Sequence, residues 1–372
     1  MLRTISGEGA AAAEEVLDAW RRGEAVWVAD PRAPGPSAAR ARAVARPGEP
    51  VADEVAAVVL TSGTTGAARA VELTWSGLEH SARVVSTALG ADPGRDRWLC
   101  TLPLHHVAGL AVLARAHVTG VGLAFDAESP ATLAAAVPTQ LARLDARRFR
   151  AVLVGGGPLP PGTDLPPNAV TTYGLTETFG GIVHDGRPLP GTEVALDEGR
   201  VPVGTAPGTG LIRIRTPSLM RGYRGDPAAT AAAVDEHGWL TTSDLGTLDG
   251  GDRLAIVGRA DDVVVTGGVN VAPWAVEEVL AGHPAVAEVG VGGVPDATWG
   301  HRVVAYVVTR EGWADVSLDE LRELARSRLT PAELPRQVVH VSRLPRTTSG
   351  KLRRRALAAE ARPGPSGEPG GR

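Results

Sequence analysis

Of the 38 lysine and arginine residues in the chain, only one, Lys351, is a lysine. It lies in "PRTTSGKLRRRAL", residues 345–357, where every other basic side chain is arginine. An arginine fork is broad and planar, whereas an ammonium is a compact point charge on a flexible stem. A solitary lysine in such a chain marks either chance on a solvated face or a task that needs a narrow, mobile cation. A second stretch has the composition to hold an anion that such a cation could meet. In "VVLTSGTTGAARAVELT" a strand-like apolar run leads into Thr61, Ser62, Gly63, Thr64, Thr65 and Gly66. Glycines let the backbone turn through positive φ and bring amides close to an anion, and hydroxyls add donors. That composition suits a polyphosphate cradle, or an ordinary Gly/Ser/Thr turn without a ligand. It is not a Walker loop, because no lysine follows the second glycine. The neighbouring His105 and His106 in "LPLHHVAGL" project in divergent directions from any one strand or helix, so they make a poor metal pair.

These residues need a scaffold, and the chain is long enough for one. Its 372 residues and 43% hydrophobic content predict a sizeable core in two or three domains. A formal charge of -4 argues against a general nucleic-acid binder. The single cysteine, Cys100, cannot form an internal disulfide and fits a reducing compartment. "MLRTISGEGAAAAEEVLDAWRR" meets glutamates before any signal-peptide core. The apolar runs are strand-sized, so no membrane insertion is expected and the chain reads as cytoplasmic.

Between residues 1 and 190, apolar runs at 25–30, 55–60, 121–125 and 151–155 read as buried strands. Helices are expected near 10–22, 75–89, 108–118 and 130–146. The alternation predicts an α/β fold with mostly parallel sheets covered by helices. From about 190 to 257, strands separated by Gly, Pro and Asp predict a small barrel-like β subdomain. Residues 1–260 thus form an expected large N-terminal domain, and residues 261–360 a small, mobile α+β C-terminal domain with Asp261 as hinge. Residues 361–372 read as a disordered tail.

"TSGTTGAARAV", "LPLHHVAGL", "YGLTET", "GWLTTSDLG", "GRADDVVVTGGVNVAPWAVEE" and "PRTTSGKLRRRAL" occur in the order found in adenylate-forming enzymes, the superfamily of acyl-CoA synthetases, luciferases and adenylation domains. The resemblance spans residues 61–357. It implies ATP-dependent activation of a carboxylic acid to an acyl-adenylate, then transfer to coenzyme A, with Mg2+ as cofactor. It also implies roles for individual residues. The loop Thr61–Gly66 would hold the β and γ phosphates, with Arg69 standing where lysine is common. Thr176 would touch the α-phosphate and Glu177 would help to hold Mg2+. Tyr173 and Gly174 would lie by adenine, Asp244 would bond the ribose hydroxyls, and Arg259 would flank them. His106 would sit between the acyl and thiol channels. Lys351 would bridge the substrate carboxylate and the α-phosphate, and Gly267 and Gly268 would line the thiol tunnel after domain rotation.

Within the superfamily, the roughly 60 residues ahead of the phosphate loop and the Ala, Arg and Gly content resemble short actinobacterial o-succinylbenzoate:CoA ligases of menaquinone biosynthesis. Arg115, six residues after Gly109, matches the place where that family puts a base for the ring carboxylate. The competing reading puts Arg115 in solvent at a helix end. Gly155, Gly156 and Gly157 read as an aryl wall or a tight turn. The expected partners are a small carboxylic acid, ATP and CoA, with a homodimer left open. The alternatives are another aryl or medium-chain acyl-CoA ligase and a non-catalytic nucleotide-binding module.

Overall fold

A computed structural model describes residues 1–61, 68–126, 128–141, 143–159, 163–201, 207–346 and 352–360. The chain begins with β1 (Arg3–Ser6), α1 (Gly9–Arg21), β2 (Val26–Ala29), α2 (Gly35–Ala45), β3 (Val55–Thr61) and β4 (Arg69–Thr74). Then come α3 (Trp75–Ala88), β5 (Arg97–Leu99), α4 (Val107–Thr119), β6 (Gly122–Ala124), β7 (Leu133–Ala136), α5 (Pro138–Leu141), β8 (Ala151–Gly155) and β9 (Ala169–Leu175). After β10 (Gly180–His184) and β11 (Arg187–Pro188), the run β12 (Glu193–Asp197), β13 (Thr209–Arg215), β14 (Gly222–Tyr223), α6 (Pro227–Ala233), β15 (Leu240–Leu248) and β16 (Leu254–Arg259) is mainly strand.

Two sheets carry the α/β part. One has the order β1-β2-β3-β4-β14 and the other β11-β10-β9-β8-β7-β5-β6. In the second, all pairings from β9 to β6 are parallel. Its central strands β7 and β8 read as continuous apolar runs because helices cover the sheet. α4 is itself apolar all round, buried from Gly109 to Arg115, and fills the interior beside α3. A four-stranded antiparallel sheet, β12-β13-β15-β16, occupies the stretch where a barrel-like subdomain was expected.

One expected helix is absent. Residues 133–136, Leu-Ala-Ala-Ala, form strand β7 between β5 and β8, not part of a helix over 130–146. Alanine favours helix only weakly as a prior. Here a central slot in a parallel sheet takes small, buried side chains, and Pro138 opens a separate four-residue helix.

The C-terminal part comprises β17 (Val264–Thr266), β18 (Val269–Val271), α7 (Pro273–Leu280), β19 (Val286–Asp296), β20 (Gly300–Thr309), α8 (Leu318–Ala325), β21 (Gln337–His340) and α9 (Arg354–Glu360). It has its own core, in which Val276, Leu280, Val291, Ala305 and Leu321 pack together. At the joint, Trp274 presses on Gly258 so closely that an added Cβ would lie 2.1 Å from the ring. No helix among the described residues is long and apolar enough to cross a membrane.

Candidate active site

The turn after β9 is where three sheets meet. β9 ends at Leu175 and passes directly into a single 3-10 turn, Thr176–Thr178. The buried Thr178 Oγ1 accepts from the Leu175 amide at 2.9 Å and donates to the Gly180 carbonyl at 2.9 Å. Phe179, also buried, sits at φ 54, and its carbonyl accepts from Ser81 Oγ at 3.2 Å. A bulky residue in that region costs about 1–3 kcal/mol and persists only where its surroundings over-determine it. The Glu177 carbonyl accepts from the Met220 amide at 2.7 Å. Gly174 is required here, since the Gly180 carbonyl oxygen lies 1.9 Å from where a Cβ would be.

Upstream of the turn, Tyr173 reaches the antiparallel sheet. Its hydroxyl donates to Asp244 Oδ2 at 2.9 Å, and Asp244 Oδ1 accepts from Arg259 Nη1 at 2.7 Å. Asp244 and Arg259 are cross-strand neighbours on β15 and β16, so sheet register sets the pair. Arg259 also pairs with Asp261 at 3.3 Å. Burial and then the charge of Asp244 hold the Tyr173 hydroxyl well above its ordinary range, so it remains a donor. Burial alone would depress Arg259, but Asp244 and Asp261 outweigh it and keep the guanidinium charged.

Glu177 faces the other sheet. Tyr223 on β14 donates to Glu177 Oε1 at 2.9 Å, and the Arg69 guanidinium lies over the Tyr223 ring, 5.0 Å from its centroid. Burial, then the Glu177 charge, push the Tyr223 hydroxyl up. Arg69 pairs with Thr61 across β3 and β4, so it stands at the foot of the 62–67 connection. β14 is only two residues long and is held by ions. Buried Arg224 donates to Glu72 Oε1 at 2.8 Å, while Arg221 takes Glu72 Oε2 at 2.9 Å. Among the described residues no three His, Cys, Asp or Glu could hold a metal. A metal at Glu177 would therefore share that carboxylate with ligand oxygens, the habit of Mg2+ on phosphates, and Glu177 fits as such a donor.

His106 occupies the position before α4. The rings of His105 and His106 lie 4.4 Å apart, tilted by 49°, and His105 Nε2 is 3.8 Å from Asp30. Nine residues along α4, Arg115 is 4% exposed, not a solvated helix end. Its guanidinium carbon lies 4.9 Å from the Trp98 ring centroid, and its Nε has no hydrogen-bond partner among the described residues. Burial pulls this guanidinium down to about 10. Gly155 is forced by β9, whose Thr172 carbonyl oxygen would lie 2.5 Å from a Cβ. Gly156 takes φ +79, and Gly157 follows it in the same bend. Gly267 and Gly268 form the exposed turn between β17 and β18, where the Gly267 amide donates to the Trp299 carbonyl at 2.8 Å.

The structure thus brings Tyr173, Glu177, Arg69, Asp244 and Arg259 to one three-sheet junction. Ser62, Gly63, Thr64, Thr65, Gly66 and Lys351, with the tail 361–372, lie outside the described residues. The ends of the Lys351 segment are placed, because Arg346 and Leu352 form an antiparallel bridge. Sequence reasoning missed Tyr223. The flanking arginines in "RGYRGD" were its only signal, and a two-residue strand carries no periodicity.

The AMP-binding enzyme family matches residues 4–224, and the AMP-binding enzyme C-terminal domain matches residues 275–351. A "Probable 2-succinylbenzoate–CoA ligase" of Mycobacterium tuberculosis is 38% identical over 345 residues, covering 84% of this chain and 86% of the relative. The o-succinylbenzoate CoA synthetase of Bacillus subtilis, in complex with its acyl-adenylate intermediate, superposes with a TM-score of 0.78 at 26% identity, over 96% of this chain and 87% of that one. The same Bacillus subtilis enzyme in complex with ATP and magnesium ion gives 0.79 at 26% identity, over 96% and 88%.

Proposed function

This chain belongs to the AMP-binding enzyme family, and on that premise we propose that it is an ATP-dependent, AMP-forming acid:CoA ligase whose acid is 2-succinylbenzoate. The observation that carries the choice of acid is Arg115, buried at 4% exposure with no anion paired to it among the described residues. An uncompensated buried charge is costly. A fatty acid would leave that cost standing, whereas a second carboxylate on the substrate offsets it with charge-assisted hydrogen bonds.

In the first step a substrate carboxylate oxygen attacks the α-phosphorus of ATP and pyrophosphate leaves. Two anions meet, so the protein's work is positioning and charge stabilisation. Thr61 to Gly66 and Arg69 hold the β and γ phosphates, and Thr176 meets the α-phosphate. Tyr173 and Gly174 border adenine, while Asp244, steadied by Arg259, takes the ribose hydroxyls. Glu177 would hold Mg2+, which would supply neutralisation of phosphate charge. Lys351 bridges the converging carboxylate and α-phosphate.

In the second step the thiol of CoA loses its proton, its sulfur attacks the acyl carbonyl and AMP departs. The small unit, residues 261–360, turns about Asp261, withdrawing Lys351 and bringing Gly267 and Gly268 to the thiol channel beside His106. Gly155, Gly156 and Gly157 wall the aryl ring.

A panel of aryl, medium-chain and dicarboxylic acids, assayed for pyrophosphate release and CoA thioester, tests this reading. The expected result is selective thioester formation with 2-succinylbenzoate, lost in Arg115→Leu. Absence of pyrophosphate release with every acid would favour a non-catalytic nucleotide-binding module, and full 2-succinylbenzoate activity in Arg115→Leu would remove the argument for that acid.

A further inference from the structure

We propose that His184 is a specificity-determining residue, the partner of Arg115 in reading the second carboxylate of the acid. This rests on the acid:CoA ligase reading. Three polar groups around α4 are more than nine-tenths buried and lack a hydrogen-bond partner among the described residues: Arg115 Nε, Trp98 Nε1 and His184 Nε2. A buried donor left unmade costs about 1–3 kcal/mol. Three such groups around one helix therefore point to a polar ligand as their partner.

In the acid:CoA ligase reading, these groups lie at the far end of the acyl channel. From His106, at the start of α4, to Arg115 is about 13 Å at the helical rise per residue. From Thr176, beyond the end of β9, back to Thr172 is also about 13 Å at the rise of a strand. Thr172 pairs with His184 across β9 and β10, so their side chains share one face of the sheet. α4 runs along β10 here, since the Ala111 methyl lies 3.6 Å from where a Gly180 Cβ would be. Four residues further along each element come Arg115 and His184. Both thus lie one channel length from the reacting end.

The charge balance calls for an anion. Arg115 on α4 and Asp185 on the β10–β11 turn are the charged groups whose fields reach His184. The Asp185 carboxylate is already taken by the Thr171 amide at 2.8 Å and the Thr171 hydroxyl at 2.9 Å. Trp98 on β5 offers its ring face to the guanidinium. Burial, then the charge of Arg115, pull the His184 imidazole down to about 4. At neutral pH it is therefore an uncharged ring able to donate one N–H to a carboxylate oxygen, while Arg115 supplies the positive charge.

The test compares wild type, His184→Phe and His184→Gln with two acids, 2-succinylbenzoate and the same acid lacking its ring carboxylate. His184→Phe is expected to raise KM for 2-succinylbenzoate at least tenfold, with kcat and the KM for ATP little changed. It should leave the decarboxylated analogue as in wild type, and His184→Gln, which keeps a donor, should stay within about threefold of wild type. An unchanged KM for 2-succinylbenzoate in His184→Phe overturns the proposal, as does an equal rise for both acids. A wild-type enzyme that activates other acids but not 2-succinylbenzoate overturns the choice of acid itself and this inference with it. A measurement needing no variant is the crystal structure of wild type with 2-succinylbenzoate. A ring carboxylate within hydrogen-bond distance of both Arg115 and His184 supports the assignment, and a carboxylate seated elsewhere sinks it.

Discussion

The Tyr223 hydroxyl donates to Glu177 Oε1 at 2.9 Å while the face of the same ring carries the Arg69 guanidinium. One side chain thus orients the candidate metal carboxylate and seats a cation at the foot of the 62–67 connection. Tyr223→Phe keeps the cation–π contact and removes only the hydrogen bond, which is worth about 1.5–3 kcal/mol to a charged acceptor. The expected outcome is a roughly tenfold higher Mg2+ concentration for half-maximal ATP–pyrophosphate exchange, read by titrating the metal at saturating ATP.

Asp244 has a hydrogen bond on each carboxylate oxygen, from Tyr173 and from Arg259. Its orientation is therefore set before any ribose arrives. Asp244→Asn keeps the shape and removes the charge. Steady-state kinetics should show a raised KM for ATP, by a factor of about 10 if one charged hydrogen bond is lost, with the KM for the acid unchanged. Equal effects on both KM values would mean that the residue acts through the fold.

Glu72 and Arg224 form a buried ion pair at 2.8 Å, both under a tenth exposed. Arg224 also donates to the Ala45 and Glu49 carbonyls. Truncating one partner strands the other, at a cost of about 3–5 kcal/mol. Arg224→Ala should lower the denaturant midpoint accordingly. Because β14 carries Tyr223, the metal requirement should worsen along with it.

His184 also predicts an acid limit to stability. Its folded pKa of about 4 lies below the ordinary 6.5, so the unfolded chain takes up the proton first as pH falls. The contribution is fully present above about pH 6.5 and is lost progressively towards pH 4, on the order of 3 kcal/mol in total. Denaturant unfolding of wild type against His184→Gln across that window should show a difference that shrinks as the pH drops.

Lys351→Ala should abolish adenylate formation and spare thioester formation from presynthesised acyl-adenylate. The two half-reactions, assayed separately, check this. Equal loss in both would remove the case for a swinging cation.

Much of the site was legible in the sequence because it lies in short contiguous runs. "TYGLTET" places Tyr173 and Glu177 four residues apart, and β9 running into a turn aims them at different sheets. The strands at 55–60 and 151–155 were legible for the same reason, as short apolar runs leading into glycine-containing stretches. Alanines 134–136 were not, since their helical bias yields to a central place in a parallel sheet. Tyr223 was not either, because its partner Glu177 is 46 residues away.

The sequence by itself determined the α/β alternation and the order of the motifs, both of which are local properties of composition and spacing. Only the tertiary structure decided that Arg115 is buried, that His184 Nε2 and Trp98 Nε1 lack partners among the described residues, and that Tyr223 joins Glu177 to Arg69. Burial and pairing depend on what distant elements bring to a side chain. Nothing in the neighbours of Arg115 along the chain distinguishes a solvated arginine from one waiting for an anion.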